Sequence, residues 1–238
     1  MDRLGDRMKR YEAVTDLILT PRMPTILRLD GKSFHQWTRH VRAQRPFDME
    51  LHQLMTQTLQ TLCRETQGTV FGYTQSDEMS LVLQDYFTHT TEAAFGKRLQ
   101  KLVSLSAALA TAQFNALAPR VFASAPWALF DARAFVLPQE EVANYILWRQ
   151  QDATRNSIRM VGYTVFADRA LLGVSNALLQ ERLWQDHGIN WNAFPVWAKR
   201  GSACLYARES GWAIDDVMPV VSQDRAYVER HLAPPERL

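Results

Sequence analysis

The stretch TVFGYTQSDEMSLVL, residues 69 to 83, reads as a β-hairpin. Thr69 to Tyr73 form one β-rich run and Thr74-Gln75-Ser76-Asp77 a polar turn. In Glu78 to Leu83, Met79, Leu81 and Leu83 alternate with Glu78 and Ser80. Upstream, PTILRLDG at 24 to 31 is a short β-rich run closed by Asp-Gly, and Phe47, Leu51, Leu54, Met55, Leu59 and Leu62 then recur at helical spacing. Downstream, Phe95 to about Leu117 has no Gly after Gly96 and no Pro before Pro119; Leu99, Leu102, Val103, Ala107 and Ala110 share one face, which predicts a long helix. Trp127 to Leu137 then places Leu129, Asp131, Arg133, Phe135 and Leu137 on one strand face and Phe130, Ala132, Ala134 and Val136 on the other. The order β-α-β-β-α-β is that of the α+β, ferredoxin-like (split βαβ) arrangement with an antiparallel sheet. A charged, periodic segment, MDRLGDRMKRYE, precedes it as an N-terminal helix.

A mostly helical part is expected from 138 to 238, packed on the part formed by 1 to 137. Pro138 suits a helix start, and Glu140 and Glu141 suit its first turn. From 152 to 187 the pattern stays helical with Gly162, Gly173 and Gly188 as interruptions; SACLYA after Gly201 is β-like, and the closing APPERL is expected to fray or to lie across another surface.

The composition, 47% hydrophobic and 22% charged over 238 residues, is that of a soluble globular protein. Lys plus Arg (27) nearly balances Asp plus Glu (25), so RNA binding would rest on local basic clusters. Cys63 and Cys204 lie far apart with no CxxC, which argues against a disulfide scaffold or zinc ribbon and for a reduced, cytoplasmic setting. No apolar leader is visible and no stretch approaches the roughly 18 apolar residues of a spanning helix, so neither secretion nor a membrane partner is expected.

In a split-βαβ sheet the first and third strands are antiparallel neighbours. Asp30 ends one and Asp77 begins the other, so both carboxylates reach one sheet edge, where a divalent cation such as magnesium, as one ion or a pair, would be held for phosphoryl chemistry. Taken singly, each is also an ordinary turn acid. Glu78 either supports the metal indirectly or faces water. Neither GxGxxG nor GxxxxGK[ST] occurs, so phosphates would be met by side chains: Arg39, Arg42 and Arg45, or Lys97, Arg98 and Lys101, unless these are solvated basic faces. No GxSxG, HExxH or paired-Cys signature is present.

GDRMKRYE (5–12), RLDGKSFH (28–35), YTQSDEMSLVL (73–83) and FDARAF (130–135), with WRQQDATRNSI (148–158) and HGINWNAFPVWAKRGS (187–202), resemble the tRNA-histidine guanylyltransferase superfamily. The resemblance implies a polymerase-like palm with a helical remainder and nucleotide addition to the 5′ end of tRNA. It implies Asp30, Asp77 and the Gly31 carbonyl as metal ligands, with Glu78 among the catalytic acids. Lys32, Ser33, Phe34, His35, Arg45 and Ser76 would contact nucleotide, beside the Lys97, Arg98 and Lys101 cluster. Arg155, Asn156, Lys199 and Arg200 would contact RNA or phosphate. ATP and GTP or other nucleoside triphosphates would be substrates, tRNA the partner, and a homo-tetramer the assembly. The eukaryotic His-Ile-Asn-Asn tetrad is here Thr154-Arg155-Asn156-Ser157. That places the chain with the bacterial and archaeal branch, in which 3′-to-5′ addition is templated and repairs truncated tRNA 5′ ends. Arg155, unless on a solvated helix face, would grip a phosphate backbone and leave base choice to pairing. The alternatives are untemplated guanosine addition to histidine tRNA, a nucleotide cyclase, and a non-catalytic RNA-binding module.

Overall fold

The computed structural model describes residues 3 to 232, so the expectation for the APPERL tail falls outside the described residues. In chain order the elements are α1 (Leu4–Ala13), β1 (Thr25–Gly31), α2 (Phe34–His40), α3 (Met49–Glu65), β2 (Thr69–Gln75) and β3 (Glu78–Leu83). There follow α4 (Leu99–Leu117), β4 (Phe130–Val136), α5 (Gln139–Val165), α6 (Asn176–His187), α7 (Val196–Arg200), β5 (Ser202–Ala207), β6 (Gly211–Asp215) and α8 (Ala226–Glu229). Among the described residues the strands form one antiparallel sheet in the order β4-β1-β3-β2-β5-β6. Its first four strands have the expected split-βαβ order.

Alternation along the strands gives the sheet two apolar faces. Leu27, Leu29, Met79 and Leu81 pack with Leu54, Met55, Leu59 and Leu62 of α3 and with Leu102, Ala110 and Phe114 of α4. On the other face Ile26, Phe71, Tyr73 and Val82 pack with Val142, Ile146 and, from α8, Tyr227 and Val228. The faces expected for β4 hold: Ala132 and Ala134 join the first cluster, Phe135 the second.

Several boundaries differ from the sequence reading for local reasons. α3 begins at Met49 because Asp48 is its N-cap, accepting from the Leu51 N–H. α4 begins at Leu99 because Phe95, Gly96 and Lys97 all have positive φ. β2 runs on to Gln75, which leaves Ser76-Asp77 as the hairpin loop instead of four residues. α5 passes through Gly162 without a break, Leu179 of α6 filling the space where a side chain would be. Leu99–Arg120 proves long and apolar enough, by length and composition, to cross a membrane. Here it is a sheet-packing helix, with Leu102, Ala110 and Phe114 buried.

The β-like run at 202 to 207 returns to the first part of the chain: β5 pairs with β2 and β6 with β5. Gly201 makes that return possible. Its φ is +81°, and a Cβ there would lie 2.5 Å from the Thr74 carbonyl oxygen and 2.7 Å from the Tyr73 hydroxyl. The same hydroxyl donates to the Arg200 carbonyl at 2.7 Å. Gly201→Ala must therefore shift backbone against backbone as well as strain its own φ. It should cost about 2 to 3 kcal/mol, read as a lowered urea midpoint with little change in m-value; an unchanged midpoint would contradict this account of how β5 is seated.

Candidate active site

Asp30 and Gly31 end β1, and the register sets Asp30 opposite Glu78, the first residue of β3. The hairpin loop therefore lies against the end of β1, where the Gly31 N–H donates to the Asp77 carbonyl at 3.2 Å. Only glycine fits at 31: a Cβ would meet Phe34 Cδ2 at 2.4 Å and Asp77 Cβ at 3.1 Å. Ser76 turns the loop with φ 51° and donates its hydroxyl to Asp77 Oδ1 at 3.1 Å.

Asp30 and Asp77 are thus neighbours, and the electrostatics register it. Burial and then the Asp30 charge push the Asp77 carboxyl up to about 6, with its own backbone N–H and Ser76 pulling the other way. Burial and then Glu78 raise Asp30, with Arg28 opposing and Asp131, its cross-strand partner on β4, adding to the rise. Among the described residues neither Asp30 nor Asp77 forms an ion pair. Glu78 differs: its two oxygens take Arg28 at 2.7 Å and Arg149 at 3.2 Å. Arg149, 3% exposed, also pairs with Asp152 at 2.6 Å and lies 3.9 Å over the Trp148 ring. Glu78 is therefore neither a solvated strand-end residue nor a free catalytic acid; its charge is spent on two arginines.

Beside Asp77 and Gly31 opens a cavity of about 800 Å³, within the range that holds a nucleotide-sized ligand. The wall includes Ser33, Phe34, His35, Arg39, Arg42 and Arg45 on one side and Ser76, Asn156 and Ser157 on others. Of the sequence-predicted residues, Gly31, Ser33, Phe34, His35, Arg45, Ser76, Asp77 and Asn156 line this space. Phe34 is 5% exposed and packs on Trp37, Phe114 and Phe130, so it is first a core residue that anchors α2. Lys32 is exposed and off the wall, its N–H donating to the Leu129 carbonyl at 2.8 Å.

The structure does not bring the other basic residues to the cavity. α4 runs so that its later residues Thr111 and Asn115 bond the Ala128–Phe130 segment near Gly31, and its start lies at the opposite end of the sheet. There Lys97 is buried against Asp85 at 3.1 Å and donates to the Thr20 and Met23 carbonyls, and Arg98 pairs with Asp16. Lys101 sits one turn further along the same end. The expectation that this cluster meets a triphosphate is corrected by that helix direction. Arg155 pairs with Asp152 at 2.9 Å on the outer face of α5, and Lys199 donates to the Asn192 carbonyl at 2.6 Å; neither of them, nor Arg200, lines the cavity.

Asp48, His52, Tyr163 and Trp197 also line the cavity and were not singled out in the sequence. Asp48, Leu51 and His52 fall at i, i+3, i+4, a helical face that the apolar periodicity of α3 hides.

The sequence model of the tRNAHis guanylyltransferase family matches residues 5–138. Among solved structures, the chain is similar to a bacterial tRNA(His) guanylyltransferase-like protein in complex with ATP: TM-score 0.92, 43% identity, 96% of this chain and 99% of that one. A bacterial protein of the same description in complex with GTP gives TM-score 0.84, 40% identity, and 97% and 99% coverage. The tRNA(His) guanylyltransferase of Schizosaccharomyces pombe is 30% identical over 215 residues, 85% of this chain and 79% of that protein. With its RLDG and QSDE turns meeting at one sheet edge beside a nucleotide-sized cavity, the chain belongs to the tRNAHis guanylyltransferase family of nucleotidyltransferases.

Proposed function

We propose that this protein adds nucleotides in the 3′-to-5′ direction to the 5′ end of tRNA, with the opposing base of the acceptor stem choosing the nucleotide. The observation that carries the reading is that Asp77, with the unpaired Asp30 beside it, stands in the wall of a cavity also lined by Arg39, Arg42 and Arg45. The similar bacterial proteins, in complex with ATP and with GTP, support a nucleoside triphosphate in that cavity.

The donor set suits magnesium. Burial and the nearby Asp30 charge raise Asp77, and burial and Glu78 raise Asp30 against the opposing pull of Arg28 and Arg133. Neither carboxylate has an ion-pair partner among the described residues, which leaves negative charge that a divalent cation would offset. Among the described residues no cluster of three or more acidic, histidine or cysteine ligands forms, and magnesium is commonly held by one or two carboxylates with water and phosphate oxygens. Asp30, Asp77 and the Gly31 carbonyl would hold the ion, which when bound lowers the cost of bringing a hydroxyl to an anionic phosphorus.

The protein's own groups do the rest. Arg39, Arg42 and Arg45 neutralise the triphosphate and orient it, a charge-assisted contact that a glycine-rich loop would otherwise supply. Ser76 and the Gly31 N–H fix Asp77 in place. In the scheme the family suggests, the 5′-monophosphate first takes AMP from ATP with release of pyrophosphate, and the 3′-hydroxyl of the incoming nucleotide then forms the new phosphate ester as AMP leaves; on a 5′-triphosphate end no activation is needed and pyrophosphate leaves instead. Of the Thr154–Ser157 block only Asn156 and Ser157 line the cavity, which supports base choice by pairing instead of by a protein tetrad. The free, buried thiols of Cys63 and Cys204 fit a reducing, cytoplasmic setting.

Three outcomes are expected. Given tRNAs that lack their first nucleotide and carry each of the four bases opposite the gap, the protein adds the Watson-Crick partner in every case; guanosine addition regardless of that base would restore an untemplated guanylyltransferase, and cyclic-nucleotide release without extension a cyclase. Asp77→Asn, with RNA binding retained, lowers extension by about 10³-fold or more, the scale of losing a principal electrostatic stabiliser. The metal-free Asp77→Asn protein is also more stable than wild type. A folded carboxyl raised to about 6 from 3.8 adds stability below the unfolded value that is lost as pH rises through the folded one. The variant should gain about 2 kcal/mol near pH 8 and almost nothing near pH 3.5, seen by urea unfolding in EDTA; a difference independent of pH would contradict the raised carboxyl.

A further inference from the structure

The α3 wall of the cavity carries a polar group that the chemistry above does not use. His52 Nε2 lies 2.8 Å from Asp216 Oδ1, and the same oxygen accepts from the Ser202 hydroxyl at 2.6 Å. The imidazole stacks on the Trp197 indole with centroids 4.2 Å apart and planes 16° apart. Contacts from α7, from the start of β5 and from the segment after β6 thus fix the ring in place and in plane, and leave its side chain 10% exposed.

A carboxylate only accepts, so Nε2 carries the ring hydrogen and Nδ1 a lone pair. Burial holds the imidazole below its ordinary pKa against the pull of Asp216, which keeps that neutral form at pH 7. No hydrogen bond from a described residue reaches Nδ1. His52 lines the cavity with its ring fixed in place and one ring nitrogen left as an acceptor; the other walls offer apolar surface, Trp197, Phe47 and Met160, and cationic side chains, Arg39, Arg42 and Arg45. The first set suits a base, the second a triphosphate.

The geometry points to His52 as a specificity-determining residue, whose Nδ1 accepts a hydrogen bond from the exocyclic amine of the purine base of the bound nucleoside triphosphate. This rests on the cavity being the nucleotide site, and the test separates the two. The affinities of the full chain are measured for two pairs, ATP against purine riboside triphosphate and GTP against inosine triphosphate, each pair differing by one amine. Wild type should prefer the amine-bearing member of at least one pair by about fivefold, the worth of one net hydrogen bond. In His52→Phe, which keeps a flat ring on Trp197 but no acceptor, that preference should fall to about one. A merely structural histidine would lower all four affinities alike and leave the ratios untouched, which overturns the inference. Should His52→Phe fail to fold, the wild-type ratios decide: values near one in both pairs overturn it without a variant. If wild type binds none of the four, the nucleotide reading of the cavity fails, and this inference fails with it.

Discussion

The antiparallel pairing of β1 with β3 governs where chemistry can occur in this molecule. With Asp30 opposite Glu78, a loop of only two residues sets Asp77 against Gly31. Strand side chains alternate with period two, so a slip of one residue would turn Arg28 and Asp30 toward Leu54 and Met55 and send Leu27 and Leu29 the other way. Each of those leucines is fully buried, and displacing one costs about 1.5 to 3 kcal/mol. The apolar face of the sheet thus holds the polar edge in register.

On the opposite face, charges are paired in series from the buried Arg149 outward to solvent: Arg28 and Arg149 with Glu78, Arg149 with Asp152, and Asp152 with the exposed Arg155. A desolvated ion pair is poor evidence of stability, because the desolvation penalty offsets most of the attraction. Its effect here is on the neighbouring edge. Glu78 already raises Asp30, and Arg28 lowers it. Without the arginines, a third uncompensated carboxylate would stand beside Asp30 and Asp77.

How far the sequence revealed this depends on the range of each signal. β1, β2, β3 and β4 were legible because alternation is local and the turns that end them are polar. The convergence of Asp30 and Asp77 was legible once the strand order was recognised, since topology alone makes the first and third strands neighbours. Lys97 was misread because a basic residue at a helix start looks the same whether it meets solvent, phosphate or, as here, Asp85 and two carbonyls. Arg155 was legible only as a basic residue on an exposed helix face; its partner Asp152, one helical turn back, was not singled out. His52 was invisible because its partners, Asp216, Ser202 and Trp197, come from the far end of the chain and no periodicity links them.

The return of β5 to the edge of β2 has a consequence for the order of events during synthesis. The strands β1 to β4 are all available once residue 136 has been made, so the carboxylate edge can assemble from the first part of the chain. The wall that carries Trp197 and the Asp216 anchor cannot. Contacts between α3 and the β5–β6 segment span most of the sequence, and pairings of such separation close late because chain entropy is lost before they compensate for it. A nascent chain therefore acquires its acidic edge before it acquires a closed cavity, and the β2 edge that β5 will cover stays unpaired until residues 202 to 207 emerge.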